Sequence, residues 1–469
     1  MNDAFLRMIE PCRFRKTSVE KDSTDGRNPF ESDLSRVTLS SHFRRLQDKA
    51  QVFPLEQCDF VRTRLTHSIE VACFARGLGL GVEKYLLENG FINADVKGHI
   101  PTILEVAGLI HDVGNPPFGH FGEEVIRAYF SRLESYANCE CDFDDTNINP
   151  NIVKAFKGLT PQQKADFLNF DGNVQGFRIL RRLGLAKDEY SYNLTMPVLS
   201  TIIKYPYSSI EGNNKEGKYS QKKFGYFLSE ECDYNEIVEK LGLKNNQRHP
   251  LTYLLEAADD IAYSASDIED GNKLGIITLD HIKKTFKDNG CEEELQPFEQ
   301  FEKDNNIDLY VQQLRISTQS KLLIETTKTF NQNFESILDG RFDEDIIKAS
   351  NAKQLRMSFE ALSVYNFGDK TVLKRELLGE RVVNFLLQTF YNALFSDNLL
   401  KKDNKPNKKS KEYKIISLIS DNYMKTACSK NEFLPEDNYA KFMLITDFVS
   451  GMTDSYALNL YQELTGVTM

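Results

Sequence analysis

Side chains that could do chemistry are densest in residues 109–123, LIHDVGNPPFGHFGE, which hold two of the seven histidines in the chain. His111 and Asp112 end an apolar run, ILEVAGLI, that predicts a buried helix. The Gly/Pro turn that follows cannot continue this helix, so we expect both side chains to point into one concavity. An imidazole beside a carboxylate in such a place can supply half of a divalent-metal site.

Two residues elsewhere could complete that metal site. His67 begins a helix after VRTRLT, and Asp259 lies in another predicted helix, LLEAADDIAYSASDIEDG. A carboxylate on an apolar helix face is costly unless it is paired or coordinated. Two imidazoles and two carboxylates suit Mn, Fe, Co, Zn or Mg with open positions, and do not suit a closed structural zinc site. A lone histidine or HD dipeptide is more often an ordinary feature, so the hypothesis rests on the ordered set H…HD…D.

The same stretch ends in a second pair, His120 and Glu123. Because they are three residues apart, they share a face near the start of a new predicted helix, GHFGEEVIRAYF. Histidine is suited to proton transfer near neutral pH, and a neighbouring carboxylate can orient it and raise its pKa. The pair is therefore a candidate general acid/base. The alternative, an acid at a helix N-terminus beside a packed histidine, would be preferred if the metal cluster were absent.

Basic residues lie near these positions in sequence, although the chain has a net charge of −11. They are Arg44, Arg45, Arg62, Arg64 and Lys204. Arginines beside metal ligands indicate phosphate recognition through charge-assisted hydrogen bonds. Metal, arginine and an acid/base pair together predict phosphoester hydrolysis. The chain has no GxxxxGK[ST] or GxGxxG motif, so phosphates are not bound as in P-loop or Rossmann proteins.

Asp259 belongs to a stripe of three polar residues on its helix. Tyr263 and Asp267 follow it at spacings of four, and each step drifts by roughly 40°, so all three face one side. Asp260 and Asp270 lie off this stripe and are expected to be solvated.

The elements that must position these residues are mostly helices. Apolar residues recur at spacings of three and four in segments 67–88, 100–113, 250–271, 375–396 and 439–466. Gly271 and Gly466 are predicted to end two of these helices. Strand-like alternation is scarce, and the one candidate is a short β-hairpin arm at residues 222–230, KKFGYFLSE. We predict one mainly α-helical domain with insertions.

Two segments are expected to be loops. Residues 138–173 are rich in Asn and Asp, and residues 401–414, KKDNKPNKKSKEYK, hold seven lysines around one proline. Such a charge block is usually solvated, and the alternative is a docking site for a polyanion.

Composition limits the class of protein. The chain has 469 residues, 41% hydrophobic, with no apolar run near the roughly 20 residues of a membrane helix. The N-terminus, MNDAFLRMIEPCRFRK, does not resemble a secretory signal, so a cytoplasmic location is expected. The eight cysteines are scattered, which predicts reduced thiols with neither a disulfide framework nor a zinc site. The acidic net charge argues against a general nucleic-acid-coating protein.

These residues allow a family to be suggested. The set His67, His111, Asp112 and Asp259 resembles the HD superfamily of metal-dependent phosphohydrolases. The flanking text is similar to the bacterial deoxyguanosine triphosphate triphosphohydrolases, the dGTPases. The similar segments run in order from about residue 30 to the C-terminus: FESDLSRVTLSSHFRRLQDKAQVFPLE, VRTRLTHSIEV, HDVGNPPFGHFGE, DGNVQGFRIL, KKFGYFLSEE, PLTYLLEAADDIAYSASDIEDG and DFVSGMTDSYALNLY.

The resemblance implies a fold and a metal site. The fold would be a single helical HD-type domain over residues 1–469, with a catalytic core at about 30–275 and a helical C-terminal part at about 276–469. One divalent ion per subunit, Mn²⁺ or Mg²⁺, would be held by the four residues of the ordered set, and the acid/base pair would be His120 and Glu123.

The resemblance also implies substrate contacts. Gln51 and Asp267 would hydrogen-bond the sugar 3′-hydroxyl, and Tyr263 would crowd a ribose 2′-hydroxyl. The triphosphate would be held by Arg64, Lys204 and Lys223, with Tyr205 a weaker candidate. Family members are homo-oligomers, often tetramers or hexamers, and some respond to single-stranded DNA or nucleotides. This chain departs in having Lys-Ala-Gln at 49–51 where Lys-Thr-Gln is usual, and no residue can be matched to guanine recognition.

The reaction expected from this resemblance is the hydrolysis of dGTP to deoxyguanosine and triphosphate, by water attack at the α-phosphorus. Two alternatives stay open. One is another HD phosphohydrolase, such as a cyclic-nucleotide or nucleoside-monophosphate phosphoesterase, which would need little that recognises a triphosphate. The other is a regulatory protein that responds to nucleotides or single-stranded DNA and has a vestigial site.

Overall fold

The structure is a computed structural model, and it describes residues 2–15, 25–56, 58–138, 148–184, 188–214, 216–403, 405–428 and 432–467. The side chains of residues 264 and 265 are outside this description. Cys139 and Cys141 also lie outside it. The other six cysteines have free thiols.

The described residues are mainly α-helical, which confirms the predicted fold class. The helices of the first half are α1 Asn2–Met8, α2 Pro29–Thr38, α3 Ser41–Arg45, α4 Arg64–Glu88, α5 His99–Ile110, α6 Gly119–Asn138, α7 Pro150–Lys157, α8 Pro161–Leu168, α9 Gly172–Arg178, α10 Met196–Thr201 and α11 Glu231–Leu241. Those of the second half are α12 Pro250–Lys273, α13 Leu279–Asp288, α14 Glu299–Lys303, α15 Ile307–Leu338, α16 Lys353–Phe367, α17 Lys370–Leu394, α18 Lys411–Ile416, α19 Asp421–Ala427, α20 Asn438–Ser450 and α21 Asp454–Thr465.

Helix α5 lies at the centre of the fold because it is apolar on every side. It packs against α4, α2, α10 and α12, and nearly all of its side chains are buried. Gly108 allows the closest approach, since a Cβ at that position would lie 2.6 Å from the Cα of Ala72 in α4. The end of α5 is therefore held firmly against α4, which fixes the position of His111 and Asp112 just beyond it.

Two large hydrophobic clusters hold the helices together. The first combines residues such as Phe5, Leu104, Leu254 and Phe334 around α4, α5 and α12. The second is rich in aromatic rings and joins α6–α9 to α17, α20 and α21, with the rings of Phe130 and Phe167 4.7 Å apart. Each cluster contains residues from before and after residue 275. The boundary between a catalytic core and a C-terminal part near that residue stays a prediction.

The predicted β-hairpin arm at residues 222–230 is wrong. Among the described residues, pairing of β type is limited to two isolated bridges, Ala50 with Thr63 and Leu400 with Pro406. Phe224, Tyr226 and Phe227 are all buried, so the aromatic pattern reflects an irregular segment packed into the core. No described helix has the length and apolar character that spanning a membrane requires.

Two predictions about helix ends need correction. Gly271 does not end α12, which continues to Lys273 and turns at Gly275 in the left-handed region. Gly271 instead leaves room for the side chain of Asn366, which a Cβ would strike. Residues 439–466 form parts of two helices, α20 and α21, because α20 ends at Ser450 and Gly451 is its C-cap. Gly466 ends α21 in the left-handed region, as predicted.

The two predicted loops are partly helical. Within 138–173, residues 139–147 are outside the described residues, but 150–168 form α7 and α8. Their starts are fixed by Asn149 and Thr160 as N-caps and a proline after each, and Phe156 and Phe167 are buried. Residues 401–410 lack helix where described, whereas 411–414 begin α18. Asn404 lies outside the described residues.

Candidate metal and phosphoester site

The four predicted metal ligands come together from three helices. His67 lies in the first turn of α4, His111 and Asp112 directly follow α5, and Asp259 lies within α12. The Nε2 atom of His67 is 3.2 Å from Oδ1 of Asp259. The Nε2 atom of His111 is 3.4 Å from the same oxygen and 3.5 Å from Oδ2 of Asp112. Ligand atoms of His67, His111 and Asp112 all lie within 4.8 Å of one another.

The imidazole of His111 is oriented for coordination. Its Nδ1 lies 2.7 Å from the carbonyl oxygen of Gly108, one turn earlier in the chain, which places the proton on Nδ1. Its buried Nε2 makes no hydrogen bond to any described residue and faces the two carboxylates. A buried imidazole nitrogen of this kind needs a partner, and a divalent cation would satisfy it.

Charge at the cluster also fits a divalent cation. Burial opposes ionisation of Asp112, but His111 and Arg64 outweigh it and hold the pKa of this carboxyl below its usual range. Burial likewise opposes ionisation of Asp259, and Lys204 and His111 lower its pKa well below the usual value. Both acids are therefore carboxylates at neutral pH, the form in which they bind metals.

Three further side chains hold the two carboxylates. Arg64 donates to Oδ2 of Asp112 at 2.5 Å, and Asn115 donates from Nδ2 to Oδ1 at 2.7 Å. Lys204 donates to Oδ2 of Asp259 at 3.1 Å. Asn115 was missed in the sequence, although its place three residues after Asp112 within the turn was a usable signal.

The predicted acid/base pair has one exposed and one buried member. The side chain of His120 is 73% exposed and that of Glu123 only 3%. Their closest approach is 3.5 Å, from Nδ1 to Oε2, and hydrogen bonding to Glu123 raises the pKa of His120. The backbone N–H of Gly172, at the start of α9, donates to Oε1 of Glu123 at 2.8 Å. Glu123 is thus fixed by a separate helix, while His120 can reach a ligand.

The predicted triphosphate contacts flank these groups. Lys223 donates to Asp171 at 2.5 Å, and this carboxylate raises the pKa of Lys223 against the effect of burial. Arg64 and Lys204 contact metal ligands directly, as described above. Tyr205 is half-buried next to Lys204. Asp171, the N-cap of α9, was not singled out in the sequence.

The predicted sugar contacts are Gln51, which precedes α4, and Tyr263 and Asp267 of α12. Tyr263 hydrogen-bonds Asp267 one turn further along α12, and burial together with nearby Asp270 raises the pKa of Asp267 well above its usual value. Oδ2 of Asp267 and Oε1 of Gln51 are buried, and neither has a hydrogen-bond partner among the described residues. Unsatisfied polar atoms of this kind indicate a place for a polar ligand group.

Several expectations about neighbouring charges are wrong. Arg62 donates hydrogen bonds to Glu70, Glu269 and Asp270, so its guanidinium is already paired with carboxylates. Asp270 is only 5% exposed. Asp260 is only partly exposed, and Arg356 donates to both of its oxygens.

Arg44 and Arg45 have backbone hydrogen-bond partners, and a role in phosphate recognition stays a prediction for both. Arg44 donates to the carbonyl oxygen of Leu39, and Arg45 donates to that of Gly451. Of the arginines that the sequence suggested, the structure brings Arg64 to the ligand cluster.

The region that holds most of these site residues is similar to a known protein family. The HD domain family model matches residues 64–143, which include His67, His111, Asp112, His120 and Glu123. A protein of Listeria monocytogenes named deoxyguanosinetriphosphate triphosphohydrolase-like protein is 40% identical, over 98% of this chain and 99% of its own length. The chain belongs to the dGTPase family of the HD superfamily.

Other members of this family are also similar over nearly the whole length of the chain. A Synechocystis deoxyguanosinetriphosphate triphosphohydrolase-like protein is 32% identical over 99% of each chain. A Serratia proteamaculans protein named deoxyguanosinetriphosphate triphosphohydrolase is 29% identical over 96% of each chain. The dGTPase family is one of metal-dependent nucleotide triphosphohydrolases, and its similarity reaches α12 and the C-terminal helices, beyond the HD-domain match.

Proposed function

We propose that this protein hydrolyses deoxynucleoside triphosphates, with dGTP favoured, to the deoxynucleoside and inorganic triphosphate. One observation carries the proposal: a four-ligand cluster and an acid/base pair stand on the two sides of one rigid turn, with cationic side chains around them. The preference for dGTP rests on the names of the related proteins.

The charged part of the site, here called the phosphate end, would bind the triphosphate and the metal. It consists of His67, Arg64, His111, Asp112, Asp171, Lys204, Lys223 and Asp259. The cations of this group lie beside carboxylates, so a triphosphate would compete with Asp171 for Lys223 and share Lys204 with Asp259. Arginine and lysine there would stabilise charge spread over the phosphate oxygens in the transition state.

The metal would be Mn²⁺ or Mg²⁺, held by His67, His111, Asp112 and Asp259. When bound, such an ion lowers the pKa of a water and polarises a phosphoryl oxygen. The chain's own contribution is to keep both carboxylates ionised and the imidazole of His111 turned towards them.

The acid/base pair would act on the leaving group. Attack at the α-phosphorus expels the 5′-oxygen of the nucleoside, and an alkoxide leaves poorly without a proton. His120 is exposed enough to donate that proton, and buried Glu123 would hold its Nδ1 and keep it protonated. We assign His120 as the general acid and Glu123 as its orienting partner.

The part of the site with unpaired polar oxygens, here called the sugar end, would select the sugar. It consists of Gln51, Tyr263 and Asp267. The 3′-hydroxyl would donate its one proton to the unpaired Oε1 of Gln51 and accept from Asp267, whose raised pKa favours the protonated, donating form. The ring of Tyr263, packed beside Val52 and Phe53, would crowd a 2′-hydroxyl. A buried hydrogen-bonding site discriminates strongly, because a poor fit leaves its polar groups unpaired.

We further propose a homo-oligomer, a tetramer or hexamer, and regulation by a nucleotide or single-stranded DNA, from the family resemblance. Light scattering of the purified protein tests the first. Turnover measured with and without added DNA or a second nucleotide tests the second.

The decisive experiment is to incubate the purified protein with each dNTP and NTP, with Mn²⁺ or Mg²⁺, and to identify the products. Inorganic triphosphate released from dNTPs, and little from NTPs, is the expected result. Release of pyrophosphate or single phosphates would contradict attack at the α-phosphorus. Equal rates on GTP and dGTP would contradict the assignment of the sugar end.

A further inference from the structure

One buried carboxylate outside the HD-domain match bonds the backbone beside Gln51 and the backbone two residues before His120. Asp454, the first residue of α21, is 2% exposed. Its Oδ2 accepts from the backbone N–H of Ala50 at 3.1 Å, and its Oδ1 accepts from the backbone N–H of Phe118 at 2.9 Å. Ala50 precedes Gln51, and Phe118 lies two residues before His120. One side chain therefore connects segments that are far apart in the sequence.

The segment that Asp454 holds at Ala50 is also tied to the phosphate end. The backbone N–H of Arg64 donates to the carbonyl oxygen of Lys49 at 2.9 Å, and Nε of Arg64 donates to that of Ala50 at 3.2 Å. Ala50 also pairs with Thr63, the N-cap of α4. Movement of Ala50 would thus reach Arg64 on one side and Gln51 on the other.

The segment that Asp454 holds at Phe118 is conformationally demanding. Phe118 and Gly119 both have positive φ, 64° and 61°, which is unfavourable for a side chain as large as phenylalanine. The Phe118 ring packs against Gly379 of α17, where a Cβ would lie 2.7 Å from the ring. Hydrogen bonding to Asp454 and packing on α17 therefore maintain a turn that the local sequence disfavours, and this turn begins α6 with His120.

Lys49 adds a second bond between the same regions. Its buried ammonium donates to the carbonyl oxygens of Asn115 and Ser450, the latter at 3.4 Å. Asn115 holds Asp112, and Ser450 ends α20 just before the break that leads to Asp454. Lys49 and Asp454 thus fix the α20–α21 corner to the turn that separates the metal ligands from the acid/base pair.

We infer that Asp454, assisted by Lys49, is a positioning residue that sets the distance between the sugar-contacting segment at Gln51 and the general acid His120. This inference rests on the proposed function, because the distance between Gln51 and His120 matters only if one ligand contacts both residues. The pair is a part of the site contributed by the C-terminal helices, and it does not itself touch the reacting atoms.

The test is Asp454→Asn in the full-length protein. The amide is nearly isosteric, but its Nδ2 donates and so can no longer accept from one of the two backbone N–H groups. Since a displacement of about 1 Å can cost roughly 100-fold in rate, we expect kcat for dGTP to fall about 10- to 100-fold. We also expect the ratio of dGTP to GTP turnover to fall by about 10-fold or more, with metal content unchanged.

A readout that does not depend on activity is amide hydrogen exchange. Peptides that contain Ala50 and Phe118 should exchange faster in Asp454→Asn than in the parent protein, while peptides from α5 stay protected. Lys49→Met, which keeps the apolar stem, should show a smaller loss of kcat and faster exchange near Asn115. This second variant tests the inference if Asp454→Asn does not fold.

The matched control is Asp166→Asn. Asp166 is also fully buried, accepts from a backbone N–H, that of Leu228, and contacts the C-terminal helices through Tyr439, but it touches no proposed site residue. It should lose stability and keep both kcat and the dGTP/GTP ratio. Parent-like kcat, sugar ratio and exchange in Asp454→Asn would overturn the inference. If the parent protein released no triphosphate, the proposed function would fail, and the exchange data would still decide whether Asp454 holds the two segments.

Discussion

The phosphate end and the sugar end solve the burial of polar groups in opposite ways. At the phosphate end each carboxylate lies beside a cation, as Asp112 does beside Arg64 and Asp259 beside Lys204. At the sugar end the pKa of Asp267 is raised by burial, and an oxygen of Gln51 has no partner among the described residues. The first arrangement keeps charges ionised and ready for metal and phosphate. The second leaves hydrogen-bonding capacity for an uncharged group.

The two arrangements would contribute differently to the affinity and the selectivity of ligand binding. A ligand at the phosphate end exchanges existing ion pairs for new ones, so the net gain per contact is moderate although the rate enhancement is large. A ligand at the sugar end supplies partners to atoms that otherwise lack them, and a ligand of the wrong shape leaves them unsatisfied. Of the five predictions below, two alter the acid/base pair and three alter one end of the site.

The largest effect is expected from Asp112→Ala at the phosphate end. The change removes a proposed ligand and leaves the buried guanidinium of Arg64 without its carboxylate. Turnover should fall about 1000-fold or more, because a metal supplies several kcal/mol of transition-state stabilisation. Elemental analysis should show metal loss. Asp260→Ala is the control, since Asp260 pairs with Arg356, and it should keep its metal. Full metal content in Asp112→Ala would remove Asp112 from the ligand set.

His120→Ala should reduce kcat by roughly 100-fold while metal binding is retained, in line with the contribution of a general acid. His281→Ala, in α13, should have parental turnover. Near-parental kcat in His120→Ala would exclude it as the proton donor.

The pH profile gives a second measurement on the same pair. Glu123 raises the pKa of His120, so the protonated acid persists to higher pH. In Glu123→Gln the alkaline limb of kcat should therefore move to lower pH. A profile that does not move would show that Glu123 has no influence on the acid.

Lys204→Met and Lys223→Met should each raise KM for dGTP by about 10- to 100-fold, since a hydrogen bond to a charged group contributes about 1.5–3 kcal/mol. Steady-state kinetics measure this. Lys222→Met is the matched control, because the ammonium of Lys222 lies 4.1 Å from the ring centre of Tyr219, a residue outside the proposed site. Unchanged KM in both variants would favour a phosphoesterase that does not recognise a triphosphate.

The smallest effect is expected from Asp267→Asn at the sugar end, and it concerns stability. Because the folded pKa of Asp267 is raised, the folded state binds the proton more tightly than the unfolded state, and stability falls as pH rises from the usual Asp range towards that pKa. The amide never ionises, so Tm should rise by roughly 2 °C at neutral pH and by less at acidic pH. Thermal unfolding without substrate measures it. A gain in Tm that does not depend on pH would contradict a raised pKa for this carboxyl.

Local sequence predicted much of the secondary structure and the identity of the candidate residues. The apolar spacing within α4, α5 and α12 is set by contacts one turn apart, which a sequence displays directly. The breaks at Gly/Pro turns are equally local. The secondary-structure predictions were wrong where a long-range contact determines the local structure. Gly271 makes room for Asn366, and at residues 222–230 aromatic side chains pack into the core.

Residue types and spacing predicted that His67, His111, Asp112 and Asp259 form an ordered set with a stiff turn, and that Asp259, Tyr263 and Asp267 share a helix face. The same pattern could not distinguish Arg62 from Arg64, which are two residues apart and chemically identical, and only the family resemblance assigned Arg64 to the triphosphate. The packing of the helices places Arg62 in salt bridges with Glu269 and Asp270, and Arg64 in a salt bridge with Asp112. The same holds for Asp454, which bonds Ala50 and Phe118 across more than 330 residues. The physical reason is that helical periodicity reports only on neighbours within a turn, whereas the partner of a buried charge is fixed by how whole helices pack.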